Sequence, residues 1–168
     1  MALVATATQV SNQDAVPVTK QEPSVKGGAV RTAYGYIAST SLVGGTVGQW
    51  YTFVRVPARA RVLGVYVTNP TSTTGAVKVG LYRPNSGIAI SDAVFASAFV
   101  MGAANNRAAV DTVRTPVQRK QSLADAFATA VTTAGAQSDV EYDIALAIVT
   151  VLGAAVDAMV EVDYVLDE

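Results

Sequence analysis

The sequence contains neither cysteine nor histidine among its 168 residues. Without cysteine there is no disulfide framework, and no thiolate can serve as a nucleophile or metal ligand. Without histidine the chain lacks the one side chain whose unperturbed pKa lies near neutrality. Ser-His-Asp and Cys-His catalysis and zinc sites built from these residues are therefore excluded. We expect a protein that is not an enzyme and that uses no cofactor or metal.

Charged and aromatic residues are also scarce, at 15% and 7% of the chain, whereas charged residues alone usually make up about 25%. Apolar residues reach 51%, and the excess is alanine and valine. Small and β-branched side chains suit a thin sandwich core or a tight subunit contact. A surface this poor in charge favours burial of part of it against other chains, with an alanine-rich domain that has no such partner as the alternative.

Two further classes of partner lack their usual signals. The net charge of −1 gives no positive footprint for nucleic acid, so we expect no nucleic-acid partner. The opening MALVATATQVSNQD has neither the basic region nor the apolar run of a secretory signal. The longest apolar run, residues 144–156, is shorter than the roughly 20 residues that span a bilayer. We expect synthesis in a cytoplasm and no membrane partner.

Residues 1–30 differ in composition from the rest of the chain. They are rich in threonine, glutamine, serine and asparagine, and their valines are spaced too widely for a core strand. Such a segment does not offset its own ordering entropy unless it lies on something else. It is either a frayed tail or an extended arm that docks on a partner. The arm hypothesis assigns residues 1–30 to the arm and 31–168 to a β domain, with five arm contacts: Val4, Val10, Val16, Val18 and Val25.

The first half of the β domain is predicted to form four strands. They cover residues 31–39, 49–56, 59–68 and 75–83, and prolines or an Asn-Pro turn separate the last three. Tyr34 and Tyr36 share one face of the first strand. Regular alternation in the third strand would place Arg61, Leu63, Val65 and Val67 on one face and Val62, Gly64, Tyr66 and Thr68 on the other. In the fourth strand Val77, Val79 and Leu81 are expected to face inward.

The second half is less regular until its end. Residues 88–101 fit either a strand or a short helix followed by a strand, and residues 107–113 follow an Asn-Asn turn. Residues 122–131 are the best helix candidate, with Ser122 as the N-cap, Asp125 in the first turn and Gly135 as the stop.

The last two alternating segments, 140–148 and 158–166, predict an antiparallel hairpin that turns around Gly153. This register pairs Tyr142 with Tyr164 and Ile144 with Val162. It also sets Asp143 against Asp163, which is unfavourable, so the register must slip or a positive group must lie over that face.

The candidate functional residues are mostly charged. One group of cations is Arg55, Arg59 and Arg61, and another is Arg114, Arg119 and Lys120. The carboxylates near the C-terminus are Asp139, Glu141, Asp143, Asp157, Glu161 and Asp163. Arginine is favoured in buried contacts. We therefore expect interfacial ion pairs that involve Arg55, Arg59, Arg61, Glu141, Asp143 and Asp163. A metal site or a catalytic carboxylate pair at Glu141 and Asp143 is the alternative.

The residues therefore predict an all-β protein, an antiparallel β-sandwich or jelly roll with an extended N-terminal arm and one short helix. Five segments, in order, carry a resemblance: MALVATATQVSNQDAVPV, YTFVRVPARARVLGVYV, GAVKVGLYRPNSG, VFASAF and DVEYDIALAIVTV. Together they resemble small virion proteins of tailed bacteriophages, and the fold is similar to the jelly-roll cement proteins that decorate phage heads. The sequence departs from that pattern in residues 114–138.

The resemblance implies a capsid cement or decoration protein on the capsid surface of a virion. Its partners would be the major capsid protein, contacted through the arm and the β domain, and further copies of itself, such as a trimer at a local threefold. The family has no catalytic residues to carry over. Two alternatives stay open. One is a head-tail connector, tail or fibre component. The other is a carbohydrate-binding jelly roll, which would need an exposed ring platform built from Trp50, Tyr51, Tyr66 and Tyr82.

Overall fold

A computed structural model describes residues 29–38, 47–84 and 86–166 of the chain. The five valines proposed as arm contacts lie outside the described residues. Within them the chain forms eight strands: β1 (Arg31–Ile37), β2 (Trp50–Pro57), β3 (Ala60–Asn69), β4 (Ala76–Tyr82), β5 (Ala89–Val100), β6 (Asn105–Ala109), β7 (Glu141–Thr150) and β8 (Ala158–Leu166). Two short helices, α1 (Leu123–Ala126) and α2 (Ala128–Thr133), follow a 3-10 turn at Gln118–Lys120.

The strands form two antiparallel sheets of four. In the first sheet the neighbours run β1-β8-β3-β6, and in the second they run β2-β7-β4-β5. Each sheet thus interleaves early and late strands, which is the strand order of an eight-stranded jelly roll. The predicted all-β antiparallel sandwich is confirmed. No helix in the part of the chain that the structure describes is long and apolar enough to cross a membrane.

The core between the sheets is built mainly from valine. Val62, Val65 and Val67 of β3 face Val77, Val79 and Leu81 of β4, and all six side chains are fully buried. The largest fully buried side chains among the described residues are Tyr142, Phe95, Leu81 and Met101. The inward positions predicted for β4 are confirmed.

The predicted C-terminal hairpin is wrong, although both of its strands exist. β7 lies between β2 and β4 in the second sheet, where Tyr142 pairs with Val56. β8 lies between β1 and β3 in the first sheet, where Tyr164 pairs with Arg31 and Val62. Residues 151–157 therefore cross from one sheet to the other. The expected pairs of Tyr142 with Tyr164 and of Ile144 with Val162 do not form.

The physical reason is visible in the charges. A hairpin in that register would have placed Asp143 opposite Asp163. In separate sheets, Asp143 pairs instead with Arg55 of β2, and Asp163 lies beside Thr32 of β1. Each acidic strand thus meets a strand that supplies a cation or a hydroxyl.

The regular alternation predicted for β3 is also wrong. The register against β8 shifts between Val62 and Gly64, so that Leu63 is an extra residue in the ladder and is 44% exposed. Because a bulge reverses which residues face inward, Val62 and Val65 both lie in the core. After the bulge, Tyr66 and Thr68 point to the outer face.

The middle of the chain resolves into strand and helix. Residues 89–100 are strand throughout, so the helical alternative for this stretch is wrong. The predicted helix exists as two short pieces separated at Phe127. The Ser122 hydroxyl accepts a hydrogen bond from the Asp125 amide and so caps α1. Gly135, at φ +67°, follows the end of α2, as a C-terminal glycine should.

Two edge strands approach each other closely at Gly35. The β2 register shifts between Thr52 and Val54, which leaves Phe53 out of the ladder with β7. The carbonyl of Phe53 lies so close to Gly35 that a Cβ at position 35 would overlap it. The absence of a side chain at Gly35 therefore allows β1 and β2 to close this side of the sandwich.

We expect Gly35→Ala to destabilise the domain by about 2 kcal/mol or more, because backbone atoms must move to admit the methyl group. Urea unfolding followed by fluorescence of the single tryptophan, Trp50, measures this loss. Gly102→Ala is the matched control, since the nearest atom to its Cβ would be at 3.4 Å; it should stay within about 0.5 kcal/mol of the parent. Equal stability of both variants would contradict the close approach.

Candidate functional site

The outer face of the second sheet carries a two-point ion pair between Arg55 and Asp143. Arg55 Nε donates to Asp143 Oδ1 at 2.6 Å, and Nη2 donates to Oδ2 at 3.1 Å. The Asp143 side chain is 2% exposed and that of Arg55 is 37% exposed. The hydrogen bond to Asp143 raises the pKa of Arg55. This pair joins two residues expected at an interface, and it does so within one chain.

The aromatic residues of the same face pack against each other. Trp50 stacks on Tyr82 with ring centroids 5.8 Å apart and an interplanar angle of 14°. Gly87 lies against the indole so closely that a Cβ there would come within 2.6 Å of the ring. Tyr82 is buried together with Ala145 and Ala147, and burial raises the pKa of Tyr82 to about 12. The face therefore forms a small second core of its own.

This packing removes most of the platform that a carbohydrate-binding module would need. Tyr82 is 4% exposed, and Tyr51 packs against the main core. Tyr66, on the other sheet, lies under the guanidinium of Arg107, which is 3.8 Å from the ring centroid. Trp50 alone of the four keeps more than a third of its surface exposed.

The outer face of the first sheet holds a network that spans all four strands. Arg107 of β6 donates through Nε to Glu161 Oε1 at 3.0 Å and through Nη2 to Asp163 Oδ2 at 2.8 Å. Thr32 of β1 donates its hydroxyl to Asp163 Oδ1 at 2.7 Å. The Glu161 and Asp163 side chains are only 20% and 18% exposed. The two carboxylates of β8 are therefore held in fixed positions.

Two tyrosines stand beside this network on the edge strand β1. Tyr34 is 75% exposed and Tyr36 is 61% exposed, on the outer face that the alternation predicted them to share. A hydrogen bond to Asp157 raises the pKa of Tyr36. Between the tyrosines and β3 lies part-buried Met159. Tyrosine is one of the residue types in which the binding energy of protein interfaces is concentrated.

The remaining cations have different surroundings. Arg59 is exposed in the turn after β2 and lines an apolar groove of about 660 Å³ with Val131, Val140 and Leu166. Arg61 lies part-buried near the start of β3. A role of Arg59 and Arg61, like that of exposed Glu141, at an interface stays a prediction.

The second basic group does not form a surface cluster. Arg114 is 1% exposed and donates to both carboxylate oxygens of Asp111, at 3.0 and 2.6 Å, and to the Val62 carbonyl at 3.0 Å. Its guanidinium also lies 5.0 Å from the centroid of the Phe95 ring in the other sheet. Arg114 thus ties the two sheets together. Sequence proximity to Arg119 and Lys120 could not have indicated this.

The acidic residues are likewise dispersed. Asp139 accepts from Arg83 at 2.8 and 3.1 Å, whereas Asp143 is on the second sheet and Glu161 and Asp163 are on the first. Among the described residues no three acidic side chains come together as a metal site would require.

Two chains from solved bacteriophage capsids share this fold, and a third gives a weaker match. A chain of the cyanophage Pam1 capsid asymmetric unit is 16% identical with a TM-score of 0.50, and the match covers 84% of this chain and 87% of that one. A chain from the capsid of Ralstonia phage GP4 is 13% identical with a TM-score of 0.56 and the same two coverages. A chain from the acid-stable capsid of Helicobacter pylori bacteriophage KHP30 is 10% identical, with a TM-score of 0.46 over 84% and 91%. No protein-family model and no curated protein sequence matches the chain.

The Arg55–Asp143 pair leads to a stability prediction. Arg55→Ala should cost about 3 kcal/mol, because a buried carboxylate loses its two-point partner. Arg55→Lys should cost less, since it keeps the charge without the fork geometry. Lys78→Ala, which removes the exposed pair with Asp92, is the control and should cost under about 1 kcal/mol. Urea unfolding of the three variants decides; an Arg55→Ala cost no larger than that of the control would contradict the assignment.

Proposed function

We propose that this chain is a non-enzymatic structural protein of a bacteriophage virion, and that within the virion it is a cement or decoration protein. The observation that carries the proposal is the fold, which chains of two phage capsid assemblies share over 84% of this chain and 87% of theirs. The match extends over the whole sandwich rather than one motif. The ordered sequence resemblance to phage virion proteins points in the same direction.

The physical chemistry of the molecule is suited to this role. A capsid offers many equivalent sites, so a modest contact that is repeated gives high avidity. The sandwich supplies a rigid surface, and residues 1–30 are proposed to extend the contact onto the major capsid protein through the arm. The arm would bear its ordering cost when it binds. Self-association as a symmetric oligomer, such as a trimer, would present several arms and domains at once.

A head-tail connector, tail or fibre component is the alternative within the same class. Copy number separates the two, because a cement protein covers the shell whereas a connector occupies one ring. A carbohydrate-binding module is less favoured, since Tyr82 is buried and Arg107 covers Tyr66.

Quantitative mass spectrometry of purified particles should give a copy ratio to the major capsid protein within a small factor of one. A ratio that fits one ring or a few fibres would move the assignment to connector or tail. Absence from the particles would overturn the virion proposal.

The arm has its own test. A variant that lacks residues 1–30 should keep the fold, because among the residues that the structure describes every buried core residue lies between Val54 and Val165. Its circular dichroism spectrum should match the parent, and its co-sedimentation with shells should be lost. Undiminished binding by the shortened chain would rule out the arm as the anchor.

A further inference from the structure

Unlike the outer face of the second sheet, the outer face of the first sheet keeps two large aromatic side chains mostly exposed to solvent. We call it the tyrosine face, and it consists of Tyr34, Tyr36, Tyr66, Asp157, Met159, Glu161 and Asp163. On the second sheet Trp50, Tyr82, Ala145 and Ala147 pack over one another. On the tyrosine face Tyr34 and Tyr36 are 75% and 61% exposed, and they lie beside carboxylates that Arg107 already holds in place.

The tyrosine face carries an excess of negative charge. Asp157, Glu161 and Asp163 contribute three carboxylates. Arg107 bonds Glu161 and Asp163, and Asp157 forms a hydrogen bond with the Tyr36 side chain. The neighbouring side chains from β1 and β3, Thr32 and Thr68, are neutral. Arg31 begins β1 on the opposite side by strand alternation, and Arg61 lies at the far end, beside Val165.

The network within the chain shows how this face binds a guanidinium. Arg107 lies over the Tyr66 ring at 3.8 Å and bonds the carboxylate of Glu161. Tyr66 and Tyr34 are the two register partners of Glu161, one on each side of β8. Tyr34 therefore repeats the position of Tyr66 across the same carboxylate, but its ring is 75% exposed. A second guanidinium or ammonium group at Tyr34 would find a ring and a carboxylate of the same kind.

We propose that the tyrosine face docks a cationic segment of another protein subunit of the shell, with an arginine or lysine of that segment seated between Tyr34 and Glu161. This inference rests on the proposed virion function for the identity of the partner. Nucleic acid would be repelled by the carboxylates, and two copies of this face would repel each other. The partner therefore presents basic side chains, and Tyr36 and Met159 provide adjoining apolar contact.

The test uses the full-length chain and shells assembled without it, in a co-sedimentation assay. Tyr34→Lys places a cation beside Glu161, which preserves the fold through a new ion pair but occupies the proposed seat. It should weaken shell binding about tenfold or more. Tyr34→Phe keeps the ring and should bind within about threefold of the parent. Val100→Lys adds the same charge at a site that is 64% exposed and outside the face, and should leave binding unchanged.

A second measurement identifies the partner group. Carbodiimide cross-linking of intact particles joins carboxylates to lysines in direct contact. Peptide mapping should then find Asp157 or Glu161 linked to a lysine of a different protein. Raising the salt from about 50 to 300 mM should weaken binding by the parent, because exposed charge contacts are screened.

The outcomes separate the two proposals. If the parent binds shells and Tyr34→Lys binds equally well, the tyrosine face is not the docking surface, whereas the virion function stands. If the parent does not bind shells at all, the cement role and the docking proposal both fail, and the virion function is then decided by the presence or absence of the chain in purified particles. If Val100→Lys weakens binding as much as Tyr34→Lys, the effect is one of net charge and the assignment to this face is overturned.

Discussion

Arg107 is the residue on which the outer face of the first sheet depends. Glu161 and Asp163 lie two positions apart on β8, and so their carboxylates emerge side by side on one face. Arg107 bonds both at 2.8 to 3.0 Å and covers Tyr66 at the same time. Its backbone occupies the left-handed region at φ +55°, and its amide donates to the Thr68 hydroxyl at 2.9 Å. Since Thr32 of β1 completes the set, one guanidinium organises polar groups from every strand of the sheet.

The core imposes a second constraint, because it is made of small side chains. Valine and alanine side chains are short, so the two sheets must pack close together. The backbones of edge strands from the two sheets then come into contact. Gly35 of β1 meets the Phe53 carbonyl of β2, in the other sheet. The buried pair of Arg114 with Asp111 then bridges Val62 of one sheet and Phe95 of the other. The interior of a sandwich closed in this way is fully packed, so the groups that could bind a partner lie on its outer faces.

Much of this architecture could be predicted from the sequence, because alternation reveals which segments are strands and which side of a regular strand is apolar. β4 follows this rule in every inward position. Alternation does not reveal which sheet a strand joins. For that reason it predicts a hairpin of β7 and β8, although the two strands lie in different sheets. The sequence does not reveal the bulge in β3 either. Leu63 is an extra residue that reverses which of the later side chains face the core, and no special residue type marks this position. Tyr66, Glu161 and Asp163 lie 41 to 56 residues from Arg107, and the Val62 carbonyl lies 52 residues from Arg114. Charge spacing along the chain could not identify these partners.

The outer faces of the two sheets differ in how fully their side chains are paired within the chain. On the outer face of the second sheet the polar and aromatic groups are paired within the chain, because Arg55 bonds Asp143 and Trp50 stacks on Tyr82. On the outer face of the first sheet the polar groups are also bonded within the chain, but Tyr34 and Tyr36 remain mostly exposed. These tyrosines belong to β1, the strand that begins at Arg31, directly after the segment proposed as the arm. An arm and a face that share one edge strand are placed to contact the same neighbour. Binding through the arm would then hold the tyrosine face close to its partner and raise the effective concentration of the second contact.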